Sequence, residues 1–255
     1  MFTKPRYEFK YIISLDEMRA FQNRLDGVME LDPNAIDGGY HVNSIYYDTQ
    51  DLSCYYEKID GEKRRFKVRV RWYGELEKES DLSSLSLFAE IKHRNNDTNF
   101  KNRLKLPGKY LPGFSENQQQ LLRLSQYAEK KDLLEATTIE HIVSQRLFMP
   151  LNIVSYHRKA YLCRINPQLR ITFDTSLRAF GTKNILNVSS SNGITVLPKD
   201  ICVLELKFNW AIPLWLLEIT REVGLNLRRF SKYAAGLEKL YPEFTMRSIR
   251  YQEFL

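Results

Sequence analysis

About eight stretches of the chain alternate between apolar and charged residues with a period of two, as a β-strand does when its two faces meet different surroundings. They cover residues 7–13, 41–47, 65–73, 85–94, 99–106, 152–161, 169–175 and 201–208. Helical spacing predicts helices over 16–25, with Ser14 as the N-cap, and over 116–124, 138–148, 213–223 and 231–241. Pro213 suits a first helical turn, and Leu216, Ile219 and Val223 form a stripe that would pack on the sheet. Stretches 74–86 and 183–200 are rich in Ser, Asn, Gly or charge and read as loops. With no internal repeat and no linker, the pattern predicts a single α+β domain over 1–255, with a largely helical insertion around 115–148.

The strand faces carry more information than the strands themselves. Lys67, Arg69 and Arg71 share one face, and Phe66, Val68, Val70 and Trp72 the other. The same division sets Glu8 with Lys10, Glu90 with Lys92 and Arg94, Lys101 with Arg103 and Lys105, Arg170 with Asp174, and Glu205 with Lys207. For a single strand the ordinary account is a solvated face over an antiparallel core. Solvated faces also carry Ser, Thr, Gln and Asn, however, and these six are almost wholly Arg, Lys and Glu. The charges are therefore expected to face inward, in a tunnel-shaped antiparallel β-barrel of about eight strands with covering helices on its apolar outside. A lumen lined by Arg and Lys calls for a polyanion, its few carboxylates acting as metal ligands or counter-ions.

Charge changes the picture in the same direction. Lys and Arg number 38 against 31 Asp and Glu, a net +7, which favours polyanionic partners: nucleic acid, a phospholipid surface or phosphorylated small molecules. The run 57–71 is basic with interleaved aromatics, but its period of two fits a strand lining better than a backbone-tracking patch, so no nucleic acid is expected. At 43% hydrophobic and 13% aromatic residues the chain is not disordered or low-complexity. Cys54, Cys163 and Cys202 are odd in number and widely spaced, which supports neither a disulfide framework nor a zinc site. His41, His93, His141 and His157 show no metal spacing. The start of the chain lacks an apolar leader, and the most apolar stretch, 210–219, contains Pro213 and Glu218 and is too short to span a bilayer. The expectation is a cytoplasmic protein without a membrane span.

The ordered set Tyr7-Glu-Phe-Lys-Tyr11, Ile45-Tyr-Tyr-Asp-Thr49, Lys67-Val-Arg-Val-Arg-Trp-Tyr-Gly74, Phe88-Ala-Glu-Ile-Lys-His93, Ser155-Tyr-His-Arg-Lys-Ala-Tyr161, Leu169-Arg-Ile-Thr-Phe-Asp174, Val203-Leu-Glu-Leu-Lys-Phe208 and Phe230-Ser-Lys-Tyr233 resembles the VTC-type polyphosphate polymerase domain. That family belongs to the triphosphate tunnel metalloenzymes, relatives of the CYTH proteins. The resemblance covers nearly the whole chain. It implies a tunnel in which basic residues hold a nucleotide triphosphate and a glutamate-bound divalent metal assists, the terminal phosphate of ATP passing to a growing polyphosphate chain with release of ADP. Carried over by position, it implies that Lys10, Arg69, Arg71, Lys92, Lys101, Arg158, Arg170, Ser231 and Lys232 bind phosphate. Glu205 would bind the metal, with Glu8 and Glu90 as further candidates, and Arg69, Arg71, Lys92 and Glu205 would carry the catalysis.

An oxygen-rich site suggests Mg²⁺ or Mn²⁺. The CYTH-type triphosphatases open with Glu-x-Glu-x-Lys, whereas this chain has Arg6-x-Glu8-x-Lys10, which moves the match toward the polymerase branch. Eukaryotic polymerases of this kind also carry an SPX domain and membrane-spanning partners. Neither lies in this chain, so coupled export is not expected of it and a membrane partner stays open. Two readings stand beside the polymerase: a metal-dependent triphosphatase acting on inorganic triphosphate, nucleotides or RNA ends, and a non-catalytic polyphosphate or nucleotide-binding module. Plainer accounts also stay open for single residues. Glu205 and Lys207 can be a salt bridge, Glu8 and Glu90 can merely organise neighbouring cations, Asp174 can do either, and Ser231 can be an N-cap as well as an anion ligand.

Overall fold

A computed structural model describes residues 6–35, 38–76, 82–96, 98–189 and 192–243. Its ten strands are β1 (Arg6–Ser14), β2 (Met29–Leu31), β3 (Tyr40–Thr49), β4 (Arg64–Tyr73), β5 (Ser86–Asn95), β6 (Thr98–Pro107), β7 (Phe148–Cys163), β8 (Arg170–Phe180), β9 (Ile194–Thr195) and β10 (Ile201–Asn209). They pair in the order β2-β7-β3-β4-β5-β6-β1-β10-β8-β9, and β7 also pairs with β8. Eight strands thus close an antiparallel ring, while the short β2 and β9 extend the edges of β7 and β8. The ring is uneven. β3 pairs with β7 along its whole length, with a shift of register between Tyr46 and Tyr47, whereas β1 and β6 meet, among the described residues, through Arg6 and Asn99.

The apolar strand faces do turn outward, and helices bury them. α1 (Leu15–Gln22) is fixed by a capping box, in which the Glu17 amide donates to Ser14 Oγ and the Ser14 amide donates to the Glu17 carboxylate. With α5 (Leu214–Glu222) it packs Phe21 and Leu216 on Ile171, Phe173, Leu204 and Leu206. α3 (Leu111–Glu116) and α4 (Leu133–Ser144) pack Phe114, Ile139 and Val143 on Val68, Val70, Leu87 and Ile91.

Three local expectations are corrected. The helix expected over 116–124 is absent: α3 lies earlier, Asn117 is extended, and Gln119–Leu122 is a 3-10 turn. Pro112 and Gly113 look like a turn in the sequence, yet proline is at home in a first helical turn. α4 ends before Phe148, which opens β7. α2 (Ser53–Ile59) is a helix with no counterpart in the sequence pattern; the Asp48 carboxylate seeds it by accepting from the backbone amides of Thr49, Cys54 and Tyr55. The loop expected over 74–86 falls partly outside the described residues, which omit 77–81.

The largest correction concerns α6 (Lys232–Leu240), which lies inside the ring rather than covering it. Asn152, Val154, Tyr156 and Arg158 share one face of β7, and Tyr156 and Arg158 line the interior. α6 packs on that same face, with Asn152 Nδ2 donating to the Tyr233 carbonyl. A bulge in β8 makes room for it. Ser176, at φ 54°, adds one residue against β7, so inward positions pass from Arg170, Thr172 and Asp174 to Leu177 and Ala179, which receive the helix. Gly236 permits the close approach: a Cβ there would stand 2.9 Å from both Asn152 Nδ2 and Val154 Cγ2.

Candidate functional site

What remains of the interior is a cavity of about 510 Å³ walled by side chains of the eight ring strands and of α6. Twelve of the lining side chains are Lys or Arg and three are carboxylates, Glu8, Glu90 and Glu205. Strand alternation is the cause: Arg6, Glu8 and Lys10 of β1, Lys67, Arg69 and Arg71 of β4, Glu90 and Lys92 of β5, and Glu205 and Lys207 of β10 are alternate residues that face this space.

Each carboxylate is shared by several cations. Glu205 pairs with Lys10 (3.2 Å), Arg158 (3.4 Å), Lys207 (2.5 Å) and Lys232 (2.6 Å). Glu8 takes Lys10 (3.1 Å) and Lys92 (2.5 Å), and Glu90 takes Arg69 (2.6 Å), Arg103 (3.1 Å) and Lys101 (3.8 Å). Beneath the wall, Asp174 receives a bidentate pair from Arg158 at 2.6 and 2.7 Å and an ion pair from Lys232 at 2.6 Å. Tyrosines complete the frame: Arg69 donates to the Tyr46 hydroxyl, Arg71 to Tyr156, and Arg170 to Tyr40 and to Asp32. Ser231 is the N-cap of α6, and Lys67 Nζ donates to its Oγ at 2.6 Å.

Burial by itself would raise the carboxylates, but the cations outweigh it. Lys10 and Lys92 hold Glu8 well below the usual range, Lys10, Lys207 and Lys232 do so for Glu205, and Arg69 and Arg71 lower Glu90. Lys207 is lowered too, but here burial is the cause: with Arg158 and Lys92 nearby it outweighs Glu205 and brings the lysine to about 7. Both shifts give stability the same slope with pH. The carboxylates' contribution is complete above 4.5, the ordinary glutamate value, and is lost as pH falls through their lower folded values. From about 7 up to the ordinary 10.5 of lysine the unfolded chain binds more protons at this site, so stability rises with pH. Circular dichroism at fixed ionic strength is expected to place acid unfolding below pH 4.5 and to show a gain in thermal midpoint from pH 7 to 9. Acid unfolding near neutrality would contradict these assignments.

The cation excess leaves donors waiting for an anion. Arg170 Nε is buried without a hydrogen-bond acceptor. For a divalent cation the wall offers oxygen donors, the carboxylates of Glu8, Glu90 and Glu205 and the neutral oxygens of Asn99, Gln168, Asn209 and Ser231. Among the described residues no three His, Cys, Asp or Glu side chains converge, and Glu205 and Glu8 share Lys10 between them. One or two carboxylates, completed by phosphate oxygens and water, is the donor set that Mg²⁺ commonly takes, so the residues fit a metal that arrives with a polyphosphorylated ligand.

The sequence profile of the VTC domain matches residues 5–241. This chain belongs to the VTC domain family. Curated relatives include vacuolar transporter chaperone complex subunit 4 from Trypanosoma brucei brucei, 25% identical over 228 residues, covering 80% of this chain and 29% of that protein. The subunit 4 of Schizosaccharomyces pombe is 27% identical over 234 residues, covering 78% and 32%. The chain thus spans about three tenths of the length of these relatives. A solved structure from Pyrococcus horikoshii aligns over 92% of this chain and 99% of that one at 14% identity and a TM-score of 0.47, a loose likeness on which the family assignment does not rest.

In this VTC domain the residues that the resemblance assigned to the site line one cavity: Lys10, Arg69, Arg71, Lys92, Lys101, Arg158, Arg170, Ser231 and Lys232, together with Glu205, Glu8 and Glu90. Lys105 and Arg94 do not. Lys105 pairs with Phe88 beyond the end of the cavity and is exposed, and Arg94 donates to the Asn96 carbonyl at the β5–β6 turn. Arg6, Lys67, Arg103 and Lys207 line the wall without having been named as site residues. Strand parity already placed three of them beside named ones. The tyrosines carried no such signal, because Tyr46 is followed by Tyr47 and only parity separates the inward ring from the outward one.

Proposed function

We propose that this domain transfers the γ-phosphate of ATP to the end of an inorganic polyphosphate chain and releases ADP. The observation that carries the reading is the closed ring with twelve cations against three carboxylates facing one cavity, a field that only a polyanion offsets, in a chain whose family resemblance implies this reaction. Phosphoryl transfer needs aligned phosphates, neutralised charge and an in-line nucleophile more than covalent chemistry from the protein. Arg69, Arg71, Arg158 and Arg170 offer planar paired donors, Lys10, Lys92, Lys101 and Lys232 act as point charges, and the Ser231 hydroxyl adds a hydrogen bond. The nucleophile is a terminal phosphate oxygen of the acceptor, already ionised, so no side chain has to remove a proton. Glu205, with Glu8 or Glu90, would hold Mg²⁺ or Mn²⁺, which when bound neutralises charge between phosphate oxygens.

Arg6 favours the polymerase over the triphosphatase. It lines the cavity where the hydrolases' pattern has a carboxylate, and a cation there attracts a further phosphate instead of holding a metal. The relatives' names place them in a chaperone complex, so the domain is proposed to work with partner subunits. The three buried free thiols suit a reducing compartment, the cytoplasm in this reading.

Electrophoresis of products formed from ATP labelled in its γ-phosphate, with pyrophosphate as primer and Mg²⁺ or Mn²⁺, tests the proposal. A ladder of labelled chains is expected. Labelled orthophosphate alone would indicate a triphosphatase, and unchanged ATP a binding module.

A further inference from the structure

Lys67 differs from every other lysine of the wall. Lys10, Lys92, Lys101, Lys207 and Lys232 each have a carboxylate within 3.8 Å, whereas among the described residues Lys67 pairs with none. It stands opposite Lys92 in the β4–β5 register, and besides burial the groups that act on it most are Lys10, Lys92, Lys58 and Arg65, all cations, so its ammonium is held well below the ordinary lysine range. Its hydrogen bond goes to Ser231 Oγ, which is 7% exposed and also accepts from the Ala234 amide. Both acceptor positions of that hydroxyl are filled, so its own O–H hydrogen is left to donate, and Ser231 lines the cavity. Two donors therefore meet at a point of the wall where Lys67 has no carboxylate partner.

We propose that Lys67 and Ser231 form a subsite for a phosphate of the polyphosphate chain, beyond the phosphates of the nucleotide. The inference rests on the preceding reading of the cavity. Lys67 lies two residues, about 7 Å, along β4 from Arg69, and Arg69 is already matched by Glu90. Beyond Lys67, toward the start of β4, comes Arg65, and Lys58 of α2 also acts on Lys67; neither is in the cavity lining. A chain extended along this line passes from Arg69 to the carboxylate-free Lys67 and on toward further cations, and a short triphosphate fills the Arg69 and Arg71 region first.

Calorimetric titration of the intact protein with tripolyphosphate and with long-chain polyphosphate, at one ionic strength, tests this in the wild type and in Lys67→Gln. Losing one charged hydrogen-bond donor is expected to weaken long-chain binding about tenfold while tripolyphosphate binding changes little. Removing a partly buried cation that has no carboxylate partner relieves repulsion, so the thermal midpoint should hold or rise, which separates the effect from misfolding. Equal weakening of both ligands, or no weakening of either, overturns the subsite while leaving the proposed function standing. If the wild type binds neither anion, both fall together.

Discussion

Replacing Glu205 by glutamine is expected to lower ATP-dependent chain synthesis about a hundredfold or more, the scale on which a preorganised charge acts in a site closed to water. Glu205 is 4% exposed and meets four cations. In the proposed reaction it is also the carboxylate best placed to hold a metal against the phosphates. Glutamine keeps the shape and removes the charge, leaving Lys10, Arg158, Lys207 and Lys232 to repel one another. The ligand-free variant should therefore also be less stable, and tripolyphosphate should raise its melting temperature more than that of the wild type, because an anion replaces the missing charge. Initial rates together with melting curves check this. Retained synthesis would remove Glu205 from the mechanism, and a melting temperature that responds equally to tripolyphosphate in both proteins would contradict the electrostatic account.

The second large effect is expected from Asp174→Asn, and it falls first on stability. Asp174 is 1% exposed and holds both Arg158 and Lys232. Arg158 supports its carboxyl most strongly, then Lys232, and together they keep it lowered against the cost of burial. Breaking a buried, hydrogen-bonded ion pair by neutralising one partner costs about 3–5 kcal/mol. Urea unfolding at neutral pH is the measurement. Asp174 contributes above its ordinary value of 3.8 and less as pH falls through its lower folded value, so the gap between variant and wild type should close in acid. A loss under about 1 kcal/mol would mean that the network is too hydrated to matter. With Arg158 and Lys232 no longer fixed, KM for ATP should rise as well, and the Lys232 ammonium should still reach Glu205.

Much of this was legible in the chain because a strand's period is two. Lys67, Arg69 and Arg71 against Phe66, Val68 and Val70 declare two faces whichever way they point, and it was the near-absence of neutral polar residues that indicated the charged face is inward. What alternation cannot report is a break in itself. Ser176 shifts the parity of β8, and with it the wall changes from Asp174 to Leu177 and Ala179, which is why α6 enters the ring instead of covering it. α2 was invisible for a different reason: its nucleation depends on Asp48 accepting amides of residues six and seven positions ahead, an arrangement with no periodic signature. The same carboxylate accepts from the Tyr233 hydroxyl at 2.6 Å, so the motif Ile45-Tyr-Tyr-Asp-Thr49 serves to hold α6, and through it Ser231 and Lys232, in place.

The central claim is that phosphate, not water, receives the transferred group. Phosphorus NMR of the full chain turning over ATP with pyrophosphate and Mn²⁺ or Mg²⁺ measures both fates at once. The account predicts that one internal chain phosphate appears for each ADP formed, with orthophosphate a minor product; ADP matched by orthophosphate, with no internal-phosphate signal, would contradict it.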